Sequence, residues 1–208
     1  MQLSEEKLNA NYLLFINYLQ KYRCYSDTMM SDIGEKIKRA SYSFEEQYGG
    51  CYDGSLIDVT LNVLCKIGYT LNENVFGHNG NGQVCDNIMY VNPNSLMRVL
   101  LLLNIGKAIM FIPQNDEWFR KKGKLYKFDD NSQTNMKLGQ RTLFMCQKYG
   151  LTLNEDEYCA IASVDKEGEN DGRYHTPLYA IASAAKNLTM IKLREEYLAS
   201  KKKENIEL

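Results

Sequence analysis

Apolar positions along the chain recur at helical rather than strand spacing. Leu8, Tyr12, Phe15, Ile16 and Leu19 fall on one helix face, with Ser4 ahead of them as a cap and Glu5 and Glu6 in the electropositive first turn. A second helix is predicted from about Ser31 to Gly49-Gly50, with Ile33, Ile37, Ala40 and Phe44 inward. Leu56, Val59, Thr60, Val63, Leu64 and Ile67 mark a third, which Gly68 is expected to end. Asn92 caps and Pro93 opens a fourth, whose Leu96, Val99, Leu100 and Leu103 read as wholly buried. Further helices are predicted at about 135–149, closed by Gly150, at 154–164, and from Thr176-Pro177 to about Lys202. Residues 117–129, EWFRKKGKLYKFD, read as a short hairpin with a Lys-Lys-Gly-Lys turn between aromatic-bearing strands. No repeat or linker divides the chain. The pattern predicts one mainly α domain with one short β-hairpin.

Composition narrows the function classes. The 208 residues are 44% hydrophobic and 25% charged, enough for one compact core. Twenty-five basic against 26 acidic residues leave a net charge of −1, so no basic field points to nucleic acid. The N-terminus carries Glu5 and Glu6 where an export signal needs positive charge, and apolar runs such as Val99 to Leu103 are far shorter than a bilayer span. These features predict a soluble protein, cytoplasmic in the producing cell. The six cysteines show no C-x-x-C pair and read as reduced, mostly buried thiols.

Candidate chemistry is sparse. Only His78 and His175 exist; the first lies in an Asn/Gly-rich loop spanning 72–92 and the second leads into a helix cap. GHNGNGQ within that loop fits neither dinucleotide nor P-loop spacing and reads as a turn. DKEGEND at 165–171 lacks the EF-hand pattern and reads as an exposed loop. The basic turn beside aromatics at 117–129 reads as a solvated hairpin tip.

One stretch carries a family signature. From Tyr48 the chain reads YGGCYDGSLIDVTLNVL, which resembles the opening motif of the HD-domain phosphohydrolase superfamily, in its bacterial and phage hydrolase branch, where members read like YHGAYEGGLAEHSLNVY. The resemblance continues in order. LLLLNIGK at 100–107 stands where the family has GLLHDLCK, and a hairpin follows in KKGKLYKFDD. MKLGQRT at 136–142, EYCAIASV at 157–164 and PLYAIASAAK at 177–186 stand for YGHGEKS-, ALAIRWH- and PLAVLLHIAD-like motifs. It covers roughly Tyr48 to Tyr197 and implies an HD-domain-like helical bundle. Residues 48–200 would form that domain, 1–47 N-terminal helices packed on it, and 201–208 a basic C-terminal tail.

The resemblance also says which residues are missing. HD enzymes hold divalent metals with imidazoles and carboxylates from several helices. Here the first metal histidine corresponds to Val59, the His-Asp pair to Leu103-Asn104, the next two histidines to Leu138 and Val164, and the final aspartate to Lys186, with Ser183 three residues before it. No ionisable metal ligand remains at these positions. The expectation is therefore no catalytic residue, no metal and no cofactor. The branched replacements would fill the old site, and Lys186 would reach Asp58 or Asn104 across it. Lys107, Arg141 and Lys186 are the candidates for residual phosphate binding.

On this reading the chain is an inactive HD-fold protein with a structural or interaction role. The branch, and a sequence poor in Pro (three) and rich in Tyr (15), imply a phage virion or assembly component of ring or connector type. Its partners would be proteins in a homo- or hetero-oligomeric assembly, with no membrane and no nucleic acid expected. The alternative from a different class is a nucleotide- or nucleic-acid-binding regulatory module with a metal-free pocket.

Overall fold

The structure, a computed structural model, describes residues 2–77, 89–129, 136–163 and 176–206. It is mainly helical with one two-stranded antiparallel sheet. Helix α1 (Glu5–Lys21) begins as predicted, with the Lys7 amide donating to Ser4 Oγ at 3.2 Å. Its buried face is Leu8, Asn11, Phe15 and Leu19. Asn11 is tolerated there because its amide donates to Asp58 Oδ1 at 3.1 Å.

Helix α2 (Asp27–Arg39) starts earlier than predicted, capped by Ser26, and stops ten residues sooner. Serines explain the stop. Ala40 turns extended (φ −60°, ψ 141°), and the Ser41 hydroxyl donates to the Ser43 carbonyl at 2.6 Å while the Ser43 hydroxyl takes that of Gly49 at 2.5 Å. Short hydroxyl side chains offer the backbone these local partners in place of the helical ladder.

The third helix does not end at Gly68. Helix α3 (Ser55–Val59) passes through a π-helical stretch (Thr60–Leu64) into α4 (Cys65–Thr70) and a second π stretch (Leu71–Phe76). Each added residue per turn re-phases the helix, so Leu56, Ile57, Thr60, Leu61, Leu64 and Cys65 all stay inward. Gly68 serves packing instead: a Cβ there would stand 2.4 Å from Leu100 Cδ1. The start of the Asn/Gly-rich segment is thus helical, while 78–88, with His78 and Cys85, lie outside the described residues.

Helix α5 (Pro93–Leu102) opens on the Asn92 cap, whose Oδ1 accepts from the Asn94 amide at 2.8 Å. It packs on α1, α4, α8 and α9, and every residue from Val99 to Leu103 is buried. Leu103 leads into a 3-10 turn (Ile105–Ile109).

The hairpin exists but its first strand lies upstream of the predicted one. Strand β1 (Phe111–Pro113) pairs antiparallel with β2 (Tyr126–Phe128), Ile112 opposite Lys127. Glu117–Lys121 forms the short helix α6, because Asp116 Oδ1 caps the Trp118 amide at 2.8 Å. The chain at Phe44–Glu46 lies along the returning strand: the Tyr126 amide donates to the Phe44 carbonyl and the Glu46 amide to that of Gly123.

Helix α7 (Leu138–Lys148) is closed by Gly150 at φ +69°, and α8 (Glu155–Ser163) follows. Helix α9 (Pro177–Ile206) starts at Thr176, whose hydroxyl accepts from the Tyr179 amide at 3.2 Å. The helix continues through 201–206, the segment expected to be a tail. Phe15, Leu19, Met29, Ile33 and Ile37 belong to the same apolar cluster as Leu64, Leu100, Ile161 and Ala185, so 1–47 shares the core of the following residues. Among the described residues no helix is long and apolar enough to cross a membrane.

Candidate functional site

The positions singled out by the missing ligands converge only in part. Val59, at the end of α3, and Leu103, at the end of α5, are both buried members of the central cluster. Tyr42, on the extended segment after α2, closes over the same place. A Cβ added at Gly50 would stand 3.3 Å from Tyr42 Cβ and 3.4 Å from Val59 Cγ2.

Asn104 follows Leu103 and is 1% exposed, yet neither Oδ1 nor Nδ2 has a hydrogen-bond partner. The Tyr42 hydroxyl is also buried without one. Burial pushes the Tyr42 phenol well above its ordinary pKa, and the nearby Asn104 amide opposes that shift without reaching hydrogen-bond geometry. Lys107 packs against Tyr42. Its Nζ donates to the Tyr42 carbonyl at 2.8 Å and lies 3.8 Å from the Tyr42 ring centroid.

The remaining positions lie around this centre. Leu138 is half-buried at the start of α7, where a Cβ at Gly106 would stand 3.2 Å from its Cδ1. Arg141, one turn on, is buried, and desolvation lowers its guanidinium pKa. The elements carrying Lys107 and Arg141 pack on one another, and the Thr142 hydroxyl accepts from the Gly106 amide between them at 3.3 Å. Lys186 is half-buried on α9. The predicted Lys186 link to Asp58 or Asn104 does not form. Asp58 is taken by Asn11, by Asn62 at 2.8 Å and by the Tyr52 hydroxyl at 2.6 Å, and the Asn104 side chain bonds to nothing. Val164, His175 and the acidic 165–171 segment lie outside the described residues.

Among the described residues no three His, Cys, Asp or Glu side chains converge as a metal site would need. Five thiols are described, all free, and four are buried. Burial pushes Cys24 and Cys65 up to about 12 and Cys51 and Cys146 up to about 11, so at neutral pH none of these four is a thiolate nucleophile.

Sequence reasoning missed Tyr42, which precedes the matched segment and carries no periodic signal. It also missed the Arg39 hub, where one guanidinium holds Glu5 at 2.9 Å, Asp53 at 2.8 Å and Glu35 at 3.0 Å. Glu35 sits one helical turn before Arg39, a local spacing, but Glu5 and Asp53 come from other parts of the chain and no local spacing reveals them. The fold and this centre define a mainly helical protein in which α5 ends at a buried junction that holds Val59, Leu103, Asn104 and Tyr42. Comparison with protein-family models, with curated proteins and with solved structures finds no match to the chain.

Proposed function

We propose that this chain is a catalytically inactive HD-like protein that acts by assembly, as a ring- or connector-type component of a phage particle or of its construction. The observation that carries the reading is the burial of Val59 and Leu103 beside Tyr42. In the motif resemblance these two positions are metal histidines, and an apolar side chain in a sealed core cannot ligate or polarise a phosphoryl group. Lys107, which the motif keeps, is engaged with the Tyr42 carbonyl and ring. Function then falls to the outer faces of the helices and to the hairpin.

The test is the mass of the natively expressed protein and its co-purifying chains under gentle conditions. An oligomer of defined size, or stoichiometric association with other particle proteins, is expected. A clean monomer carrying a nucleotide or a metal would overturn the proposal and favour a ligand-binding module.

A further inference from the structure

A groove walled by phenols and ammoniums lies where the end of α1 meets the first π stretch, α4 and α5. Its volume is about 250 Å³. Leu61, Cys65 and Met97, all buried, form the floor. Tyr18, Tyr22 and Tyr69 stand around them; the first two rings are stacked with centroids 6.1 Å apart, and Tyr69 is 52% exposed. Leu14, one turn before Tyr18 on the same helix face, is 46% exposed and extends the apolar strip.

The charges are one-sided. Lys21 and Lys66 line the groove, and no Asp or Glu does. Lys21 Nζ lies 5.2 Å from the Tyr22 ring centroid, and Lys66 Nζ donates to the neutral Asn62 Oδ1 at 3.4 Å. Among the described residues neither ammonium forms an ion pair. The acids of α1, Glu5 and Glu6, stand at its far end, where Glu5 is held by Arg39.

Size and composition select the occupant. Pockets for drug-sized ligands begin at about 300 Å³, so this open groove suits a single large side chain. Tyrosine is concentrated at the energetic centres of protein interfaces, because its rigid ring gives contact area at little cost in conformational freedom. Two cations are too few to track a nucleic-acid backbone. Across an interface they favour carboxylates and turn away basic surfaces.

We infer that this groove docks a peptide segment of a partner protein in which an aromatic or large aliphatic side chain is flanked by carboxylates. The side chain rests on Leu61, Cys65 and Met97 between the tyrosines, and the carboxylates reach Lys21 and Lys66. The inference rests on the assembly reading above and gives one partner surface its chemistry.

The experiment titrates the full chain, labelled at its methionine methyls, with an acetylated pentapeptide of four glutamates around a central phenylalanine, and with its lysine counterpart. The acidic peptide is expected to shift the Met97 methyl resonance saturably, and the basic one to leave it in place. Lys21→Glu combined with Lys66→Glu should abolish the response, whereas Lys21→Arg with Lys66→Arg should keep it. Both lysines are exposed, so circular dichroism of the variants is expected to match the native protein. In native mass measurement the charge-reversed protein should lose a partner chain that the native protein retains. Equal Met97 shifts with both peptides, or none at millimolar peptide, would overturn this site; an assembled native protein would then leave the assembly reading standing. A charge reversal that sheds only further copies of this chain would overturn the partner and assign the groove to self-contact. A native protein found as a monomer with no partner would overturn both.

Discussion

Lys107 Nζ stands 3.8 Å from the centre of the Tyr42 ring while donating to the carbonyl of the same residue at 2.8 Å. One ammonium thus ties the end of the central helix to the extended segment after α2, 65 residues away in sequence. Replacing it by methionine keeps the stem but removes the charge-assisted hydrogen bond and the cation–π contact. Lys107→Met is expected to cost about 1–3 kcal/mol in urea denaturation. An unchanged midpoint would show that the contact holds nothing.

Asn104 makes the opposite prediction. A buried amide with neither atom bonded has lost its water without compensation, so removing it should relieve a penalty. Asn104→Leu, which keeps the same branched heavy-atom skeleton, is expected to leave stability unchanged or raise it by about 1 kcal/mol. A loss of several kcal/mol on the same denaturation curve would mean that the amide is in use.

Glu157 is a buried carboxylate with two duties. It accepts from the Asn154 amide at 3.1 Å, returning the cap that Asn154 gives its own amide at 2.9 Å, and it pairs with Arg98 of α5 at 3.1 Å. Glu157→Ala leaves the half-buried Arg98 without its carboxylate and removes the reciprocal bond to the Asn154 amide, so a loss of about 3–5 kcal/mol is expected. Glu157→Gln preserves an acceptor and should lose less. Equal losses for the two variants would assign the effect to the carboxylate charge, because glutamine keeps the packing.

Asp32 links α2 to the end of α7. Its carboxylate accepts from Lys148 Nζ at 2.8 Å and from the Tyr149 hydroxyl at 2.6 Å, and these bonds hold its pKa below the ordinary 3.8. A group with a depressed folded pKa contributes stability above its unfolded value and loses it as pH falls through the folded value. Native protein should therefore melt above Asp32→Asn at pH 6, with the gap closing as pH falls below about 4. A gap that stays constant across this range would show that the carboxylate charge plays no part.

The helices were legible where capping and periodicity agree. Ser4, Asn92-Pro93, Thr176-Pro177 and Gly150 each act as predicted, because caps and terminators depend on nearest neighbours in the chain. Gly68 was misread for the same reason. Its local signature is that of a terminator, while its use is to admit Leu100 from another helix. The hairpin was displaced because Trp118 and Phe119 carry strand propensity, whereas the Asp116 cap directs them into a helical turn.

For the candidate site, the sequence by itself determined which residue types stand at the motif positions and that Val59 and Leu103 offer no metal donor. It could not bring Tyr42 to Asn104 and Lys107, since the segment after α2 and the turn that follows α5 meet only when the core closes. Nor could it decide that Asp58 is satisfied by Asn11, Tyr52 and Asn62 rather than by Lys186. Hydrophobic period and capping are written in neighbouring residues, whereas the partner of a buried polar group is chosen by whichever side chains the packed helices carry to within about 3 Å of it.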